Sequence, residues 1–355
     1  MINTSNFLIG AIQRLSLIAA LSGSVVTSYV SGQSTAKYAG EFMAIGIGGR
    51  ALGMGSAFTA VADDIVSAYW NPAGLALIDY PQVALMHDER FAGLVNYDYG
   101  AVAVPVGPVS TLALSIIRLG VDNIPNTQNA GVDINGLPLP PDQWQNFVRI
   151  DPNRITYFNA ADWAFFLSYA RRINGSFSYG ANLKLIHRNV ETATAVGVGF
   201  DAAVRYSVTD HFNVGANAQD VTTTLVAWNT GRNELISPTL RTGAAYILNA
   251  LGGRFIPAVD MDIRFENRRS ASAFHVGSMS FDPHAGLEFD FQNIIAVRTG
   301  YTDTKEWTLG AGIHLPKLNI DYSFARLKDT EEALKTHRIS LTFTLEAKQF
   351  KRNPS

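Results

Sequence analysis

The residues that could do chemistry are concentrated near the N-terminus, in a glycine-rich run followed by an acidic pair. The stretches GIGGRA and GMGSAF superficially suggest a phosphate-binding loop. Neither satisfies G-x-G-x-x-G, no Walker lysine and hydroxyl follow, and no βαβ pattern surrounds them, so structural glycines are favoured over a nucleotide site. Asp63 and Asp64 could bind a cation, but no further acidic residue stands at ligand spacing. We therefore expect this pair to cap a turn or to meet arginines.

The usual metal ligands and nucleophiles offer no site either. Seven histidines are scattered without an H-x-x-x-H pair, and cysteine is absent. No Ser/His/acid set can be singled out, so the sequence predicts neither an enzyme nor a cofactor or metal site. The net charge of −2 gives no long-range attraction to nucleic acid.

Beyond residue 80 the sequence alternates between apolar and polar residues, which is the pattern of β-strands. One face of one run consists of Val95, Tyr97, Tyr99, Ala101 and Ala103. Counting such runs predicts about fourteen strands. They begin near Gln82, Leu94, Ser110, Trp163, Ser176, Ala195, Phe212, Thr239, Ile256, His284, Ile294, Trp307, Leu318 and Arg338.

The connections indicate how these strands are arranged. Every second connection is tight, whereas three of the others are long: 121–162, 221–238 and 266–283. Tight turns at one rim and long loops at the other are typical of an outer-membrane barrel. A secreted β-sandwich would alternate as well, but its water-facing surface should be richer in Lys, Glu and Thr. We therefore predict an all-β fold, a transmembrane antiparallel up-and-down β-barrel with an N-terminal plug segment inside the lumen.

In this barrel the apolar faces should meet outer-membrane lipid, and charged residues should face the lumen in pairs of opposite sign. The predicted lumenal residues are Asp201, Arg205, Arg241, Asp260, Asp262, Arg264, Glu288, Asp290, Arg298 and Asp321.

The chain ends suggest export and insertion. Arg14 precedes an apolar stretch that suits a signal peptide, predicted over residues 1–32. The barrel is predicted over residues 81–346, followed by a basic C-terminal tail over residues 347–355, and Phe343 or Phe350 is the candidate signal for the barrel-assembly machinery. With an even strand number, both mature termini should be periplasmic in the bacterial outer membrane.

Residues 33–80 lack the alternation of the strands and are predicted to form the plug. Their small residues allow backbone to lie close to a barrel wall. Asn71 is a good N-cap and Pro72 fits the first helical position, so a short helix should begin there and fix how the chain leaves the plug.

The stretch GGRALGMGSAFTAVADDIVSAYWNPAGLA resembles the N-terminal signature of the PorV/PorQ proteins, a branch of the FadL-like outer-membrane barrels. The matching plug motif includes Gly53, Gly55, Ala57, Asp63, Asp64, Trp70, Asn71, Pro72, Ala73 and Gly74. The resemblance implies fourteen strands and a plug. It also implies an accessory of type IX secretion that binds exported cargo proteins or their C-terminal signal domain, together with other secretion components.

Resemblance to the wider FadL family implies an alternative function, a channel for long-chain fatty acids or other hydrophobic compounds. The loop 121–161 is rich in proline and carries four aromatic residues of the kind that anchor protein interfaces. These residues form a candidate partner-docking loop: Trp144, Phe147, Tyr157 and Phe158. The loop could equally form a hydrophobic entry groove. We prefer the secretion interpretation.

Overall fold

The chain folds into a closed antiparallel β-barrel around an N-terminal segment. The structure is a computed structural model and describes residues 40–140, 143, 148–266, 272–326 and 336–352. Over these residues fourteen strands follow one another around the wall, each paired with its neighbours in sequence. The first and last strands pair from Gln82↔Thr344 to Glu89↔His337, which closes the sheet. The predicted fold class is therefore confirmed. Most strands begin within three residues of the predicted positions, but those predicted from Trp163, Thr239 and His284 begin earlier, at Thr156, Asn233 and Met279.

In chain order the strands are β1 (Gln82–Arg90), β2 (Val95–Val106), β3 (Ser110–Asn126), β4 (Thr156–Arg172), β5 (Phe177–Val190), β6 (Ala193–Ser207), β7 (Phe212–Gln219 and Thr224–Trp228), β8 (Asn233–Ile236, Thr239–Tyr246 and Leu248–Ala250), β9 (Gly253–Arg264), β10 (Met279–Phe291), β11 (Ile295–Tyr301), β12 (Trp307–Leu315), β13 (Leu318–Arg326) and β14 (Thr336–Thr344). A separate two-stranded sheet pairs Gly131–Val132 with Arg149–Ile150, and the short strand Phe274–Val276 pairs with the start of β10. The helices are α1 (Glu41–Ala44), α2 (Gly49–Gly53) and α3 (Ser67–Trp70), with 3₁₀ turns at Pro72–Leu77, Pro152–Arg154 and Lys348–Phe350. Among the described residues, no helix has the length and apolar character needed to cross a membrane.

The connections sort by rim, with one correction. Tight turns such as 107–109, 251–252 and 316–317 lie at one rim, the short-turn rim, and the connections 127–155 and 265–278 lie at the other, the long-loop rim. Half of the expected long loop 221–238 is strand, because Thr224–Trp228 pairs with Asn233–Ile236. A bulge at residues 220–223, with positive φ at Asp220 and Thr223, shifts the phase of the alternation. Because of this shift, the alternation in the sequence did not predict the hairpin.

The outer surface is apolar and ends in aromatic residues towards both rims, which is the surface of a transmembrane barrel. On β6, Val196 and Val198 are 60% and 47% exposed, whereas the intervening Gly197 faces inward. Exposed aromatic residues near the two rims include Tyr206, Tyr246, Phe291, Phe343, Tyr301 and Trp307.

Strand β2 departs from the expected orientation. Tyr97, Tyr99 and Ala101 were expected to face lipid, but they are buried inside the barrel, and Val102 and Val104 face outward instead. In residues 101–106, the half of β2 that ends at the short-turn rim, both faces are apolar, so hydropathy alone does not distinguish them. The inward face is apolar because it packs on the N-terminal segment rather than on water.

Candidate functional site

The plug, residues 40–79 in the described structure, fills the interior of the barrel. Its large apolar side chains Ile47, Phe58, Ile65 and Trp70 are at most 1% exposed and form the centre of the buried core. Gly40 lies against Ile236 in the long-loop half of the wall. The chain leaves at the short-turn rim and enters β1. Residues 33–39 of the predicted plug and the predicted signal peptide lie outside the described residues.

Asn71 holds three parts of the structure together. Its side-chain oxygen accepts a hydrogen bond from the Ala73 amide at 3.1 Å, and Pro72 is the first residue of the 3₁₀ turn, as the sequence predicts. The side-chain amide also donates to the carbonyl of Thr59 at 2.8 Å and to that of Val204 on β6 at 3.1 Å. Asn71 is fully buried. It therefore ties two parts of the plug to the wall as well as capping a helix.

Glycines bring the plug backbone directly against the wall backbone. Gly55 has a φ of 63°, and a Cβ at the facing wall residue Gly300 would lie 2.2 Å from the Gly55 nitrogen. Within the plug, a Cβ at Gly74 would lie 2.3 Å from the Ala62 carbonyl oxygen. Real Cβ atoms do not approach other atoms so closely, so the observed packing requires glycine at these positions.

The plug also bonds across the seam where the barrel closes. The Gly48 amide contacts the sulfur of Met86 on β1 at 3.0 Å, and the Gly49 amide donates to Ser340 Oγ on β14 at 2.9 Å. Met86 and Ser340 are direct partners in the ladder that joins the first strand to the last. Consecutive plug amides thus bond to both sides of the seam.

A chain of alternating charges connects the plug to the wall. Arg50 on α2 makes two hydrogen bonds of 2.9 Å to the carboxylate of Glu288. Glu288 accepts a further bond of 2.6 Å from Arg298, which itself bonds to Asp321 at 2.7 Å. Glu288 and Arg298 are buried. Because a buried charge is stable only when paired and hydrogen-bonded, each member of this chain depends on its neighbours.

The acidic pair of the motif meets an arginine of the plug rather than one of the wall. Arg50 Nη1 lies 2.6 Å from Asp63 and 3.6 Å from Asp64. Asp64 also accepts a hydrogen bond from the Val66 amide, as a turn cap does. Burial raises the pKa of Asp64 to about 7, with Arg50 opposing this rise and the neighbouring Asp63 adding to it. The pair therefore both caps a turn and pairs with arginine.

A second charged cluster lies around Trp70. The indole nitrogen donates to the Ile47 carbonyl at 2.9 Å, and the Arg241 guanidinium lies 4.9 Å from the ring centroid. Arg241 makes hydrogen bonds of 2.5 and 2.6 Å to Asp262. Nearby, Asp260 accepts the amides of Phe58 and Thr59. Wall charges thus bind buried backbone amides of the plug as well as each other.

The structure places all ten predicted motif residues in the plug. The predicted docking loop stays a prediction. Tyr157 is 65% exposed at the start of β4, and Phe158 beside it is half-buried. Trp144 and Phe147 lie outside the described residues. Sequence reasoning missed the wall amides that bond to the plug, such as Asn182 to the Ala68 carbonyl and Asn217 to the Trp70 carbonyl. The sequence signal for these contacts was the position of both asparagines on the inward face of their strands. Within the described part of the chain, no group of three His, Asp or Glu residues is placed to hold a metal ion.

The closed fourteen-strand barrel is similar in fold to several solved structures. The Ralstonia pickettii toluene transporter TbuX is 12% identical, with a TM-score of 0.55 over 84% of this chain and 98% of its own. A Pseudomonas aeruginosa FadL homologue is 12% identical, with a TM-score of 0.53 over 83% and 98% of the two chains. The CymD monoaromatic hydrocarbon channel is 13% identical, with a TM-score of 0.54 over 85% and 98%. At these identities the likeness concerns the fold alone.

Sequence comparison is less informative. The model of a family described as "Uncharacterised protein family (UPF0164)" matches residues 16–96, which include the whole plug motif. No curated protein sequence matches the chain. Membership of the PorV/PorQ branch stays a prediction.

Proposed function

We propose that this protein is an outer-membrane channel for hydrophobic small molecules, the alternative that the sequence left open. The observation that carries the proposal is the barrel fold that this chain shares with solved transporters and channels. The similar structures include a toluene transporter and a monoaromatic hydrocarbon channel, each aligned over almost its whole length. These comparisons favour a channel over the secretion accessory that we preferred from the sequence.

The interior suits apolar solutes on one side. The wall strands β2 and β3, both fully described, contribute no buried charged side chain, and they pack Tyr97, Ala101 and Ile117 against the plug. The charged pairs described above lie on β8 to β13 instead. A hydrophobic solute that displaced the plug along β2 and β3 would therefore separate no ion pair. It would exchange one apolar contact for another, which costs little.

The same strands carry an apolar groove on their outer face. The groove has a volume of about 430 Å³ and extends from β2 to β5, with Gly100 in its lining at the β2 edge. Its floor includes Ala101, Ser115 and Phe166, whose side chains are buried on the inner side. Its outer lining consists of Val102, Leu114, Ile116, Phe165, Leu167, Leu183 and Leu185. Apolar surfaces therefore lie on both sides of one stretch of wall.

The experiment measures accumulation of labelled toluene and of a labelled long-chain fatty acid in cells with and without the protein. Gly100→Leu should fill the groove and reduce accumulation of the transported compound, since a Cβ there meets only ordinary contacts at 3.5 and 3.8 Å. Val104→Leu is the matched control, because it lies outward on the same strand but outside the groove. Equal accumulation of both compounds with and without the protein would refute the proposal.

A crosslinker at Tyr157 tests the secretion interpretation in the same cells. This side chain is exposed on the long-loop rim, where a secreted partner would bind. Recovery of a secreted protein or a secretion component, together with unchanged uptake, would establish an accessory instead of a channel.

A further inference from the structure

The basic C-terminal tail folds back onto the barrel. After β14 ends at Thr344, the Leu345 amide bonds to the Pro81 carbonyl, and the Arg352 amide bonds to the Asp79 carbonyl at 2.8 Å. The tail therefore runs alongside the segment through which the plug leaves the barrel. Arg352 is only 7% exposed although it lies eight residues beyond the last strand. Such burial is unusual for an arginine in a polar terminus.

The Arg352 guanidinium binds the end of the plug. Its Nε and Nη2 donate to the Ile78 carbonyl at 3.0 and 2.6 Å, and Nη2 also donates to Thr111 Oγ1 on β3 at 2.5 Å. Within the described residues, no carboxylate lies within ion-pair distance of this guanidinium. Ile78 follows directly on the 3₁₀ turn Pro72–Leu77, whose last carbonyls have no partner inside the turn. The guanidinium supplies donors for the carbonyl end of the plug.

A second arginine binds the same turn from the wall. Arg172, at the end of β4, donates to the Ala76 carbonyl at 3.0 Å. The two arginines differ in one respect that matters for movement. Arg172 belongs to a strand and cannot leave without disturbing the barrel, whereas Arg352 lies on a terminal segment outside the ladder.

From this arrangement we propose that the C-terminal tail is a latch that holds the exit of the plug, residues 76–79, closed against the wall at the short-turn rim. Release of Arg352 frees the Ile78 carbonyl while Arg172 still holds Ala76 and every wall strand stays paired. The proposal does not rest on the transported compound, since it concerns the plug alone.

The test measures how readily a thiol reagent reaches the plug exit in the full-length protein in its membrane. The chain contains no cysteine, so Ala76→Cys introduces a single thiol at a fully buried position. Adding Arg352→Ala should speed labelling by about tenfold or more, because it removes hydrogen bonds from a charged donor. Thr111→Val removes one of these bonds and should give a smaller increase. Lys351→Ala, the control, removes an exposed neighbouring charge and should leave the rate unchanged.

Heat modifiability on gels shows that each variant has a folded barrel. Unchanged labelling in a folded Arg352→Ala variant would overturn the proposal, as would equal acceleration by Lys351→Ala. If Arg352→Ala fails to assemble, Thr111→Val decides in its place, and an unchanged rate with that variant overturns the latch.

Discussion

Replacing Asn71 by alanine should loosen the plug without unfolding the barrel. The change removes the partner of the Ala73 amide and of the Thr59 carbonyl, both buried in the plug, and one of the contacts to the Val204 carbonyl. An unsatisfied buried polar group costs about 1–3 kcal/mol, so the two plug groups together should cost about 2–6 kcal/mol. No strand loses a ladder bond.

Hydrogen exchange measured by mass spectrometry on the purified barrel in lipid nanodiscs checks this prediction. A loss of about 2 kcal/mol in local opening free energy corresponds to roughly thirtyfold faster exchange in the peptides that contain residues 57–78. Peptides from the strands should exchange as before. Asn71→Ser is the matched variant, since a serine hydroxyl can cap the helix but is too short to bond to both carbonyls.

The two variants separate the cap from the ties to Thr59 and Val204. We expect Asn71→Ser to recover less than half of the lost protection. Full recovery would show that the cap alone matters. Unchanged plug exchange in a folded Asn71→Ala barrel would refute the reasoning from hydrogen bonds altogether.

Three further predictions concern the wall, the buried charges and the orientation. Gly300→Ala should displace the plug and speed its exchange, whereas Gly175→Ala, with open space around its Cβ, should not; equal behaviour would contradict the close-packing argument. Glu288→Gln should destabilise the plug by about 3 kcal/mol, because two guanidinium groups lose their shared carboxylate, and equal exchange in variant and parent would show that the pair is dispensable. A protease site inserted at Asn135 should be cut on intact cells and one inserted at Asn174 should not, and the reverse pattern would invert the predicted orientation.

The barrel could be predicted from the sequence because its signal is repeated in every strand. Alternation with a period of two follows from strand geometry, so an error in one strand does not affect the others. The start of the 3₁₀ turn at Asn71 was predictable for another reason, because a cap depends only on neighbours in sequence.

The contacts of the plug could not be predicted, because they join residues far apart in the chain. Asn71 reads as a cap in sequence, but its bond to Val204 spans 133 residues. Arg50 and Glu288 are 238 residues apart, and nothing local distinguishes this arginine from a solvated one. The predicted orientation of β2 was wrong for a similar reason. Its inward face packs against the plug, which is distant from most of the wall in sequence.

The bonds from Gly48 and Gly49 to both sides of the seam have a consequence for assembly. The plug precedes every strand in the chain, while the seam joins the earliest strand to the last. If the wall closed without the plug, Ser340 Oγ would lose the hydrogen bond that it accepts from the Gly49 amide, and that amide would need another acceptor. A cylinder sealed around the plug therefore satisfies polar groups that an empty cylinder would leave unpaired. The native pairing at the seam thus includes the plug as a third member beside the first and last strands.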